Sequence, residues 1–386
     1  MSTPRRTRPT KRASRANPPL TLVSVSFSGD NLALSDDGGA PYAAPHWSEP
    51  LRGSRGRRFP VAYVMGRRPT VGATFRAAGV SAGASLKIRG TDLPAQDAVV
   101  SRGVATYPPA DATDAFASVQ ALAYRIGWEV SVDGAAWSPV ATSEHRLYVV
   151  LGRPADAASL YESAVDVGCT AARGLSDKAE VLSAIWAKFE TLDVRRKKVD
   201  GYGVDDGARM GYWMNGKPAQ SVAAMLRSGN GSCLAWAQLF LEAVWAHGFK
   251  DAQIVAIDSP SAFLVRNWRF DEPAPPVDPN QLYRVDVDCH DTGRLPAQNN
   301  AKSCRSFKNH YIVLCAKQYY DPSYGAGPFG SSLLHENAAS AGVLRGRLVN
   351  ERDRRLDKHD LTYRAHGRGR NGDELPDHVR VLVNGK

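Results

Sequence analysis

No apolar run in the 386-residue chain approaches the length that crosses a bilayer, so no transmembrane segment is expected. The first nineteen residues, MSTPRRTRPTKRASRANPP, lack the hydrophobic segment of a secretory signal. The expected location is the cytoplasm, or a compartment reached by a signal-peptide-independent route. Cysteine is scarce: Cys169, Cys233, Cys289, Cys304 and Cys315 are too few for a disulfide scaffold. The same nineteen residues hold no acid and no aromatic, only Arg5, Arg6, Arg8, Lys11, Arg12 and Arg15 among the charges. Basic charge without interleaved aromatics argues against specific nucleic-acid readout. No internal repeat is present.

What is there divides unevenly. Of the net charge of +10, the arm 1–19 carries +6, residues 344–370 carry +5 and residues 371–386 carry −1, which leaves 20–343 neutral. The basic character therefore belongs to the ends. A Pro-rich, basic arm is expected to be disordered, as a solvated tail or a contact for an acidic partner or surface. With 43% hydrophobic residues, the length suits more than one core. The expected organisation is a disordered arm (1–19), a β domain (20–152), a catalytic domain (153–345) and a charged C-terminal extension (346–386).

From Leu20 to Gly152 the texture is β-like. Short runs such as LTLVSVSF (20–27), PVAYVMG (60–66), TVGATFRA (70–77), ASLKIRG (84–90), WEVSVDGAAW (128–137) and HRLYVVLG (145–152) alternate with Gly, Pro and Asp turns. Asp133-Gly134 suits a two-residue hairpin turn. About seven strands point to an immunoglobulin-like β-sandwich acting as a platform, with His46 and Trp47 as structural or surface residues. Beyond Arg153 the spacing becomes helical over 156–173 and 176–192, with Ser176 as a candidate cap and Glu180 in the first turn. A short helix over 218–228 and an apolar helix from Cys233 follow, then strands at 252–257, 263–270, 282–287 and 310–316. Helices first and strands afterwards indicate α+β, with helices packed on a largely antiparallel sheet. Cys169 and Cys315 lie in apolar surroundings and read as core.

The chemistry concentrates in GNGSCLAWAQLFLEAVWAHG (229–248), where Cys233 opens the apolar helix directly after a Gly-Asn-Gly-Ser turn. A thiol there feels the positive helix end and nearby backbone N–H groups, both of which favour the nucleophilic thiolate. Downstream, NHYIVLCAKQYYDPSYG (309–325) puts His310 on an apolar strand and Asp321 just beyond it. A nucleophile, a base and a carboxylate to orient that base make a candidate cysteine triad. The structural alternative is a small buried thiol and a core histidine.

The arrangement resembles the transglutaminase-like cysteine enzyme superfamily, carried by Gly231-Ser232-Cys233, His310, Asp321-Pro322 and the lead-in QSVAAMLRSGNGSC (220–233), over roughly 155–335. The resemblance implies a papain-like catalytic fold and acyl transfer or hydrolysis at a peptide or glutamine side-chain amide. It implies a protein or peptide substrate and no cofactor. Cys233 would attack the carbonyl, His310 would carry the proton and Asp321 would orient His310. The Cys233 N–H is the first oxyanion donor, and GYWMNGK (211–217) offers Trp213 or Asn215 for a second. Water as acceptor gives a protease or deamidase and is favoured; a lysine amine gives a crosslinking transglutaminase. A bacterial effector toxin and a non-enzymatic binding protein that keeps the fold remain alternatives.

The stretch DVDCHDTGRLPAQNNAKSC (286–304) gathers Asp286, Asp288, Cys289, His290, Asp291 and Cys304, but no pair has zinc-finger spacing, so no metal site is expected. Cys289 and His290 cannot form a rival pair on a strand, because adjacent residues point to opposite faces. A polar loop beside the active site is the expected role. Cys289 and Cys304 could close it as a disulfide in an oxidising compartment.

Overall fold

The computed structural model describes residues 20–50, 56–132, 134–197, 207–214, 217–265, 295–303, 306–332, 334–335, 340–344, 356–357, 362–366 and 380–382. Strands alone come first. β1 (Thr21–Ser28), β2 (Trp47–Ser48), β3 (Val61–Val64), β4 (Thr70–Arg76), β5 (Ser85–Gly90), β6 (Gln96–Val99), β7 (Val104–Asp111), β8 (Gln120–Ser131) and β9 (Ser138–Val150) form two sheets, ordered β2-β1-β4-β7 and β3-β9-β8-β5-β6. Inward residues of both sheets, among them Val25 and Phe75 from one and Ile88, Trp128 and Leu147 from the other, make one buried cluster. Trp128 lies edge-on to Phe75 and Tyr107, with centroids 5.5 and 5.4 Å away, and its indole N–H donates to Ser143 Oγ at 3.0 Å. The ring is large and carries one donor, so it fills the middle only because Ser143 accepts that donor.

Strands β6 and β7 escape the sequence pattern. β7 reads VATYPPAD, and two consecutive prolines signal a loop. The structure accommodates them at the sheet edge, opposite Gly72, where the β4–β7 register shifts. On an edge, at a bulge, the missing N–H groups break no central ladder. The β8–β9 connection is longer than a two-residue turn, since the last pair is Val130 with Ser138. Asp133 itself lies outside the described residues.

Four helices follow among the described residues: α1 (Glu162–Ala171), α2 (Lys178–Glu190), α3 (Val222–Ser228) and α4 (Cys233–Ala246). Helix α1 begins later than its apolar spacing suggests. Its first-turn donors are met from far away: Asp37 accepts from the Ser163 N–H at 3.1 Å and the Ser163 hydroxyl at 2.6 Å. Helix α2 is capped by Asp177 rather than Ser176, its carboxylate accepting from Ala179 and Glu180 N–H at 2.8 and 3.0 Å. A carboxylate caps and also meets the positive helix end, which a hydroxyl does not.

Short β10 (Gly211–Tyr212) pairs in parallel with β11 (Asn230–Gly231) just before α4. Then come β12 (Gln253–Val265), β13 (Leu295–Ala297), β14 (Asn300–Ser303), β15 (Ser306–Cys315), β16 (Gln318–Asp321) and β17 (Ala326–Phe329). Strands β18 (Ser340–Leu344), β19 (Leu356–Asp357), β20 (Thr362–His366) and β21 (Arg380–Leu382) finish the described chain. The main sheet runs β17-β16-β15-β12-β18-β19, with β20 also on β12 and β21 on β20, and its pairings are antiparallel. The chain is α+β. Every residue of α4 is buried, between this sheet and the other helices. Cys169 and Cys315 are buried free thiols. The larger core also takes in Leu34, Ala62, Tyr148 and Val150, so apolar packing continues from the first strands into the helices. Among the described residues no helix is long and apolar enough to cross a membrane.

Candidate active site

The thiol end is built by tight backbone turns. Helix α3 closes at Gly229, whose positive φ of 78° lets its N–H reach the Met225 carbonyl. The chain then enters β11, and Gly231 packs so closely that a Cβ would meet Met225 Sδ and, at 3.2 Å, Ala235 Cβ. A side chain at 231 would have to displace Met225. Ser232 donates its N–H to Ala219 O at 2.8 Å and takes the N-cap position of α4. Its hydroxyl makes no capping bond and has no hydrogen-bond partner, although Ser232 is buried. The N-cap side chain therefore leaves the first-turn N–H groups uncapped, and Cys233 sits at that positive end of the helix. Cys233 is 7% exposed.

The acid–base end comes from the sheet. His310 on β15 pairs with Ile257 of β12, while Val313 further along pairs with Tyr320 of β16. That register puts Asp321 on the same sheet face as His310. His310 Nε2 and Asp321 Oδ2 are 2.8 Å apart, and both side chains are fully buried. The second carboxylate oxygen accepts from the Ser323 N–H at 3.1 Å, so the turn after β16 holds the acid as well. Burial pushes the imidazole pKa down, but the Asp321 charge and hydrogen bond, together with hydrogen bonding and charge at Cys233, outweigh it and raise it to about 10. With Nε2 engaged by Asp321, Nδ1 is the ring nitrogen that remains for Cys233. Tyr324 packs against the imidazole, centroids 5.9 Å apart.

The structure thus brings Cys233, His310 and Asp321 together. Trp213 borders the same region on the loop after β10, with a positive φ of 49°. Its main-chain N–H donates to Gly231 O at 3.2 Å, which commits that donor within the fold. Asn215 lies outside the described residues, as do Asp286, Asp288, Cys289, His290, Asp291 and Cys304. Among the described residues no group of His, Cys, Asp and Glu is placed to hold a metal ion.

Two residues at the site carried no signal in the sequence. His335, in SSLLHENAAS, is buried with its ring edge-on to Phe329, centroids 5.2 Å apart. Burial lowers its pKa to about 4, Asp321 opposes that shift and His310 adds to it, so it is a neutral neighbour of the charged pair. Gln298, from the polar stretch 286–304, is fully buried against the turn that follows Asp321. Lone polar residues in polar stretches have no periodicity to mark them. No protein-family model matches the chain, and no curated protein matches it.

Proposed function

We propose that this chain is a cysteine-dependent amidohydrolase of transglutaminase-like, papain-like architecture, acting on a peptide or glutamine side-chain amide. The observation that carries the reading is the buried His310–Asp321 pair presented to Cys233 at the uncapped start of α4. The two opening sheets then act as an immunoglobulin-like platform, and the basic arm as a contact for an acidic surface.

In this reading the thiolate of Cys233 attacks the amide carbonyl carbon and a C–S bond forms. Negative charge collects on the carbonyl oxygen, where the Cys233 N–H donates and the Trp213 indole supplies a second donor. The His310 imidazolium protonates the leaving nitrogen, the C–N bond breaks and a thioester remains. Neutral His310 then takes a proton from water, the hydroxide adds to the thioester, and the acid leaves as the thiol is restored. Asp321 keeps Nε2 bonded throughout, so Nδ1 does the proton transfer.

The test is labelling of the full chain with a thiol-reactive probe. Proteomics of treated protein mixtures then scores glutamines converted to glutamate, new chain ends and new glutamine–lysine crosslinks. Cys233 should take the probe, and Cys233→Ala should abolish all products. Products that survive Cys233→Ala refute the proposal, and crosslinks in place of hydrolysis would assign the acceptor to an amine.

A further inference from the structure

One small hairpin touches both ends of the site. Gln298 and Asn299 form the turn between β13 and β14. The Gln298 side-chain amide donates to Phe189 O, near the end of α2, at 2.8 Å and to Pro322 O, next to Asp321, at 2.9 Å. Its main chain extends the bridge: the N–H donates to Ser323 O at 3.1 Å, and the carbonyl accepts from the Tyr212 N–H at 2.8 Å. Asn300 reaches the other way, its Nδ2 donating to Tyr212 O at 2.9 Å and Trp213 O at 2.8 Å. Tyr212 belongs to β10, which pairs with β11 immediately before Cys233. The hairpin therefore joins β10, the partner of the strand that leads into the thiol, to the turn that holds the acid.

We propose that Gln298 and Asn300 are positioning residues for Cys233, His310 and Asp321, forming a clamp that fixes the spacing between the thiol and the acid–base pair. Both carboxamides use their NH₂ groups on main-chain carbonyls. Two carbonyl acceptors fix the Gln298 amide so that Oε1 points away from them, and that oxygen has no hydrogen-bond partner. A buried acceptor left unmet opposes stability, so the residue is a poor choice for stability alone. Proton transfer between Cys233 and His310 depends on hydrogen-bond reach, and small displacements are costly there. The His310 ring faces Asp321, Cys233 and Tyr324, with His335 beyond, and the Gln298 and Asn300 side chains are themselves neutral. Neutral substitutions in the hairpin thus test position without altering the local charge.

The inference rests on the thiol chemistry proposed above, and the experiment separates the two. The rate of iodoacetamide alkylation of Cys233 at neutral pH is measured in the full chain, with the labelled peptide identified by mass and folding checked by thermal melting. His310→Ala should slow the wild-type labelling. Gln298→Met and Asn300→Ala should each slow it about tenfold, the effect of a small displacement between reacting groups. In a His310→Ala background the same substitutions should slow it no further, because they act through the pairing of thiol and imidazole. A folded Gln298→Met or Asn300→Ala chain that labels at the wild-type rate overturns the clamp and leaves the thiol chemistry standing. A wild type that labels no faster than His310→Ala overturns both. Should Gln298→Met fail to fold, Asn300→Ala, at a half-buried position, decides alone.

Discussion

The imidazole of His310 is the residue on which the electrostatics turn. Its pKa in the folded chain, about 10, lies above its ordinary value of 6.5. Folding therefore gains from binding that proton. The contribution is fully present below 6.5 and is lost as pH rises through about 10. Asp321→Ala removes the carboxylate and should cost about 3–5 kcal/mol at neutral pH, the scale for breaking a buried pair. Urea midpoints of wild type and Asp321→Ala, compared on going from neutral to alkaline pH, should converge as the imidazole deprotonates. A gap that stays constant would mean that the pair carries no proton-linked stability. At this scale the sequence showed a good deal: a thiol at a helix start, a histidine on an apolar strand and a carboxylate after a chain reversal are local patterns. Gln298 and His335 were invisible because their roles come from what folds over them.

Among the elements, α4 and its approach set the thiol in place. Gly231→Ala would drive a Cβ into Met225 and Ala235. The expected loss is about 1–3 kcal/mol, the usual cost of overpacking, together with slower alkylation of Cys233. Asp177→Ala makes the contrasting case. It should lower stability by about 1 kcal/mol through the lost cap on α2 and leave the alkylation rate unchanged. Equal effects of the two substitutions on thiol reactivity would show that the β11 turn has no special hold on Cys233. The element boundaries show where local pattern stops being informative. Cys233 opens a helix as its turn and apolar run predict, whereas α1 waits for a carboxylate far back in the chain, Asp37. Strand β7 holds two prolines that only an edge bulge can explain, and no local pattern identifies that edge.

Across the whole molecule, the strands and the helices are joined by more than chain continuity. The main core runs from Leu34 and Ala62 into the helices, and buried Glu162 on α1 pairs with Arg146 on β9. A single cooperative unfolding transition is expected, and Asp37→Ala should lower it as a whole rather than split it. Two separate calorimetric transitions in wild type would contradict that coupling. Deleting residues 1–19, which lie outside the described residues, should leave Cys233 reactivity unchanged, since the arm's composition offers little to bury. The composition shift near residue 152 was visible in sequence. The continuity of packing across it was not, because long-range contact leaves no mark on local periodicity.

The complete burial of α4 has a consequence for measurement. A helix with no solvent-facing side has no shallow fluctuation through which its main-chain hydrogens can be traded for deuterium. Past its first turn, isotope uptake in α4 should proceed only when the surrounding layers open together. The uptake rate of this one segment would then report the opening equilibrium of the fold, read from the same helix whose first residue is the thiol.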